Sequence, residues 1–87
     1  MSEYTPIACE LHDYIEIACM HRYRLLIELT DGKNFRAQAV TTHNTKDEEF
    51  LVLADSEAES EVRLDRLAAI TPLDDHATFE RVVLAAR

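Results

Sequence analysis

Two hydrophobic periods succeed one another along this chain. Between Cys9 and Met20, Leu11, Tyr14, Ile15 and Ala18 fall on one stripe at about 100° per residue. Asp13 and Glu16 fall opposite the stripe, and Glu10 sits at its edge. This predicts a short helix over residues 9–20, with its acids near the positive end of the helix dipole. Pro6 predicts an extended approach to it. From Arg22 the period drops to two. Tyr23, Leu25, Ile27 and Leu29 alternate with more polar positions, as in a half-buried strand. "TDGK" (Thr30 to Lys33) then places the only glycine in an Asp-Gly hairpin turn, where a positive φ is needed.

The second strand, "NFRAQAVTTH", sets Phe35, Ala37 and Ala39 on one face, and a polar loop from Asn44 to Glu48 follows. "EFLVLAD" is a third strand, whose run from Phe50 to Leu53 predicts burial on both faces. "SEAES" turns the chain. "EVRLDRLAAITPL" supplies a fourth strand with Val62 and Leu64 inward, a tight turn near Asp65–Arg66, and a fifth strand at about 68–71. The plan is mainly β with one N-terminal α-helix: a small Sm-like antiparallel β-barrel. The whole chain, residues 1–87, reads as one domain, with the helix at about 9–20, the barrel at about 22–72 and an extension at 73–87. For "DDHATFERVVLAAR" two readings stand. Ala, Glu, Arg and Leu favour a helix capped by Asp74 or Asp75, whereas Phe79, Val82 and Val83 favour an extra C-terminal strand.

Charge changes the picture more than composition does. At 47% hydrophobic and 30% charged the chain is expected to fold and stay soluble, around a core too small to be split in two. The net charge of −8 is unevenly spread. Residues 1–21 hold four acids and no Lys or Arg, residues 22–45 are net +2, residues 46–61 are net −6, and the remainder balances. Two acidic blocks thus flank a mildly basic strand. Such a surface repels nucleic acid and anionic membranes and attracts a basic protein; it also serves plain solubility. The absence of a transmembrane run or signal-peptide pattern points to the cytoplasm, with Cys9 and Cys19 as reduced thiols.

Candidate chemistry is sparse. Cys9, His12, Cys19 and His21 form C-x2-H-x6-C-x-H. On one helix, though, the cysteines would stand about 15 Å apart, too far to share an ion. No metal or other cofactor is expected. A reactive thiol needs a base and positive surroundings, whereas Cys9 precedes Glu10. Asp13 and Glu16 lie on a convex helix face without a pocket to shift their pKa values. The expectation is therefore not an enzyme. No tryptophan, six aromatic residues and Lys46 as the only base in "TTHNTKDEE" argue against direct RNA binding.

Four segments carry a family resemblance. "PIACELHDYIEIAC" contains Cys-x3-Asp-Tyr-x-Glu-x-Ala-Cys, and "LTDGK", "EEFLVLA" and "VRLDRLAAI" follow in order. Over about residues 4–71 the chain resembles the bacterial Rho-binding antiterminator family. The resemblance implies an Sm-like barrel and a partner, the hexameric transcription termination factor Rho. It implies that binding covers the primary RNA-binding surface of Rho and lowers termination. Carried over by position, Glu10, Asp13 and Glu16 fall where the family places acids. Apart from the resemblance, Asn44 and Lys46, in the exposed loop, are expected as a second contact. Some members carry a further acid just after the Glu10 position; here it is Leu11. The paired cysteines match Cys9 and Cys19, read as packing residues. The competing reading is an acidic Sm-like adaptor or scaffold for a different basic protein. A monomer is expected, because "FERVVLA" laid along a sheet edge blocks ring closure and the acidic blocks repel like neighbours.

Overall fold

A computed structural model describes residues 9–84. The extended approach at Pro6 and the packing of the Cys9 side chain lie outside the described part. One helix, α1 (Cys9–Met20), precedes strands β1 (Arg24–Leu29), β2 (Asn34–Asn44), β3 (Glu49–Ala54) and β4 (Glu59–Arg63). A single 3-10 turn, Leu64–Arg66, leads into β5 (Leu67–Pro72), and β6 (Val82–Val83) is the last element before Leu84.

All pairings are antiparallel, in the order β4-β3-β2-β1-β5-β6. Chain connectivity forces this sheet to roll. β4 and β5 stand four spacings apart in that order, about 19 Å in a flat sheet. Only the 3-10 turn separates them in sequence, and the four steps from Arg63 to Leu67 reach at most about 14 Å fully extended. The two ends of the five-strand sheet are therefore drawn together. Register shifts at Glu28/Leu29 and Ala39/Thr41 supply bends. No hydrogen-bonded ladder joins β4 to β5 among the described residues, so the expected barrel is an open, rolled sheet.

The inward parity matches the period-two reading. Leu25 pairs with Ala37, and Ile27 with both Phe35 and Ile70. Leu25, Ile27, Leu51, Leu53, Leu67 and Ile70 are fully buried. Leu64, expected inward at the end of the fourth strand, is fully buried but belongs to the 3-10 turn. Asn44, expected in the loop, is the last residue of β2. α1 packs over β2, where the small side chains of Ala37 and Ala39 let it approach closely. Its own Ile15 and Ala18 are fully buried there. Burying Ile15 alone is worth about 1.5–3 kcal/mol.

Two turns show how local chemistry sets the path. Gly32 sits at φ 93° and donates to Leu29 O at 3.0 Å, while Leu29 N–H donates to Lys33 O at 2.8 Å. Asp31 keeps a negative φ, so the hairpin has a three-residue connection closed by a left-handed glycine. At the end of α1, Tyr23 N–H donates to Ala18 O at 3.0 Å and Arg22 N–H to Cys19 O at 3.2 Å. This is a Schellman cap, with Arg22 at φ 55° in the position that glycine usually takes.

The C-terminal extension is a strap ending in a strand, which settles the two readings left open by its composition. Val82 and Val83 pair with Ile70 and Ala69 on the outer edge of β5. Phe79 meets Tyr14 edge to face at 5.1 Å and Tyr23 at 6.0 Å between ring centroids. Thr78 N–H donates to the Tyr23 hydroxyl at 3.1 Å. Arg81 forks onto Glu28 through Nε at 2.9 Å and a second nitrogen at 3.0 Å. That contact holds the Glu28 carboxyl below its ordinary pKa and raises that of Arg81.

Candidate partner-binding face

α1 turns two opposite faces outward and inward. Ile15 and Ala18 are buried, Leu11 and Tyr14 are half-buried, and Glu10, Asp13 and Glu16 are exposed. The helix acids can therefore meet a partner without disturbing the core. Met20 continues this outward face one turn beyond Glu16 and is 75% exposed. Sequence reasoning missed it, although Asp13, Glu16 and Met20 at i, i+3 and i+7 share a helix face. The result is an acidic stripe with an apolar end.

His12 and His21 have separate partners. His12 Nε2 lies 3.0 Å from Glu49 Oε1, and the His21 ring stacks on Tyr23 at 5.3 Å. Cys19 is half-buried against the core. Burial pushes its thiol up to about 11, with Arg22 pulling down and Glu16 adding to the rise. That is the setting of a packing residue and a poor nucleophile. Among the described residues no three His, Cys, Asp or Glu side chains are grouped to hold a metal ion.

The second predicted contact lies beside the helix. Asn44 and Glu49 face each other across the β2–β3 ladder, and Glu49 also bonds His12. The turn between them is closed by Thr45: its N–H donates to Glu48 O at 2.9 Å, and its hydroxyl accepts from Glu48 N–H at 3.1 Å. Asn44 and Lys46 are both exposed on it. The contact from His12 through Glu49 to Asn44 thus joins helix and turn into one surface. Lys46 stands at the turn's outer end, beside Asp47.

Glu10, Asp13, Glu16, Asn44 and Lys46 on that surface are polar and exposed to solvent. The surface can exchange charge-assisted hydrogen bonds with a basic one. A cleft of about 240 Å3 lies elsewhere, along the seam between β4 and the β1–β2 turn. Among the described residues, no helix is long and apolar enough to cross a membrane.

Comparison with known proteins agrees with this picture. A family described as "Modulator of Rho-dependent transcription termination (ROF)" matches residues 6–84. Protein rof of Escherichia coli K12 is 35% identical over 68 residues, covering 78% of this chain and 81% of that protein. Protein rof of Shigella flexneri matches to the same extent. In fold, the chain is similar to a solved structure described as YaeO bound to magnesium from Vibrio cholerae O395. The TM-score is 0.75 at 24% identity, covering 82% of this chain and 94% of that one. The expected mainly-β fold with one helix is thereby supported. With a family match along nearly all of its length and relatives above one-third identity, this chain belongs to the Rof family of modulators of Rho-dependent transcription termination.

Proposed function

We propose that this protein binds the Rho hexamer and lowers termination by covering the primary RNA-binding surface of Rho. The outward face of α1 carries the reading. Glu10, Asp13 and Glu16 present carboxylates to solvent from a helix whose opposite side is locked into the core. A surface that holds RNA phosphates is basic, and a rigid acidic helix is its electrostatic complement. Asn44 and Lys46 extend the contact from the neighbouring turn. The protein acts as a non-catalytic monomer in the cytoplasm and binds no RNA itself.

Competition on purified Rho tests this. Added protein is expected to displace labelled single-stranded RNA, and its affinity is expected to fall as salt rises, because rim charges are screened beyond about 8–10 Å. A ternary complex in which Rho holds both ligands at undiminished affinity overturns occlusion. Recovery of a different basic protein from bacterial lysate, with no Rho binding, favours the adaptor reading.

A further inference from the structure

The row of acids on α1 ends in an apolar residue. At about 100° per residue, Met20 falls between Asp13 and Glu16 around the helix axis, and about 6 Å beyond Glu16 along it. At 75% it is the most exposed large apolar residue among those described. Ile17, one turn earlier, is half-buried against the core and borders it. Exposed Arg22 follows two residues later, so this end of the row is not acidic and what it offers a partner is apolar.

The fold makes no use of the Met20 side chain. A Schellman cap makes its apolar contact between the third residue from the helix end and the second residue past the cap. Here those are Ala18 and Tyr23, both buried in the core. The turn that carries Met20 is nevertheless held in place. His21 N–H donates to Ile17 O at 3.1 Å, Arg22 N–H to Cys19 O at 3.2 Å and Tyr23 N–H to Ala18 O at 3.0 Å, while the His21 ring stacks on Tyr23. An apolar side chain is thus presented to solvent from a rigid support, in line with the acids.

A surface that binds single-stranded RNA combines cations that follow the phosphates with aromatic rings on which bases stack. Carboxylates can replace phosphates against the cations, but they give the rings nothing to cover them. We propose that Met20 takes the place of a base. Its side chain lies against an aromatic ring of the RNA-binding surface of Rho, while Asp13 and Glu16 meet cations beside that ring. Methionine suits this position, because its unbranched chain adapts to the ring and its sulfur makes favourable contacts with aromatic groups. The assignment deepens the reading of the α1 face and rests on Rho being bound there.

The test is displacement of labelled RNA from purified Rho by the full chain. Met20→Ala and Met20→Gln are each expected to weaken displacement about tenfold, and Met20→Leu to keep it near wild type. All three are expected to melt like the wild type. Their salt dependence is expected to be unchanged, because no charge is removed, whereas Asp13→Lys is expected to flatten it. The chain holds two methionines, Met1 and Met20, so labelled methionine methyls give two resonances, and Met20→Leu identifies its own. On Rho the Met20 methyl is expected to move upfield, as the face of an aromatic ring requires. Wild-type displacement by Met20→Ala while Asp13→Lys is weakened, or a Met20 methyl that does not move on Rho, overturns the base-site assignment and leaves the α1 face standing. A wild-type chain that does not bind Rho overturns both.

Discussion

His12 on α1 and Glu49 at the start of β3 meet through Nε2 and Oε1 at 3.0 Å. The contact needs no charge on the ring, because a neutral imidazole protonated at Nε2 also donates. It holds the acidic helix against the turn that carries Asn44 and Lys46. Both side chains are partly exposed, so the pair is worth at most about 1 kcal/mol. His12→Ala is expected to leave the melting temperature within a few degrees and to weaken Rho binding by no more than about fivefold. A loss as large as that of an acid reversal would mean that His12 touches the partner itself.

Asp13 and Glu16 are exposed opposite a buried stripe. Asp13→Lys and Glu16→Lys are each expected to cost about 1.5–3 kcal/mol of binding to Rho, roughly ten- to 150-fold. Circular dichroism is expected to stay unchanged. Titration calorimetry measures the loss, and wild-type affinity in both variants would sink the α1 assignment.

Arg22 stands at φ 55° in the Schellman cap of α1. A left-handed conformation costs a residue with a Cβ about 1–2 kcal/mol, which glycine largely avoids. Arg22→Gly is expected to raise stability by about 1 kcal/mol, or several degrees in melting temperature for a chain of this size. A melt that falls instead would show that the Arg22 side chain contributes more than its backbone costs.

Val82 and Val83 cover the β5 edge on which head-to-tail assembly would depend. The full chain is expected to scatter light as a monomer. A chain ending at Leu73 loses Phe79 and Leu84 from the core as well as the strap, so it is expected to be less stable and to self-associate. A full-length hexamer or heptamer refutes the monomer. A folded, monomeric truncation leaves the oligomeric state standing and removes the strap as its cause.

Glu28 carries the acid sensitivity of that strap. Its folded pKa lies below the ordinary value because Arg81 hydrogen-bonds the carboxylate. A depressed carboxyl contributes stability that is present above its unfolded pKa and is lost as pH falls through the folded one. The raised pKa of Arg81 acts only at extreme alkaline pH. The protection of the Val82, Val83 and Leu84 amides, taken as exchange relative to an unstructured chain at the same pH, is therefore expected to fall below about pH 4. In Glu28→Gln that protection is expected to be low already at neutral pH and to lose this acid step. An unchanged acid step in that variant would place the titrating group elsewhere.

Elements whose signals lie within a few residues are legible in the amino-acid sequence alone. The i, i+3, i+4 stripe of Leu11, Tyr14, Ile15 and Ala18 places α1, and the alternation of Leu25 with Ile27 places β1. Gly32 places the hairpin, because one left-handed residue is a local demand. The acids of α1 are legible as an outward face for the same reason, and the match to family segments names the partner class. What depends on distant residues is not legible. The strap segment has mixed local preference, and the unpaired edge of β5, about a dozen residues earlier in the chain, makes Val82 and Val83 a strand. Phe79 adds to this by fitting between Tyr14 and Tyr23. Rolling of the sheet follows from a three-residue link between β4 and β5, four places apart in the sheet, which no window of sequence displays. The contact of His12 with Glu49, which turns two separate predictions into one surface, needs two residues far apart in the chain to meet. Local periodicity determines which side chains face outward; the long-range pairing of backbone edges decides which outward faces become neighbours.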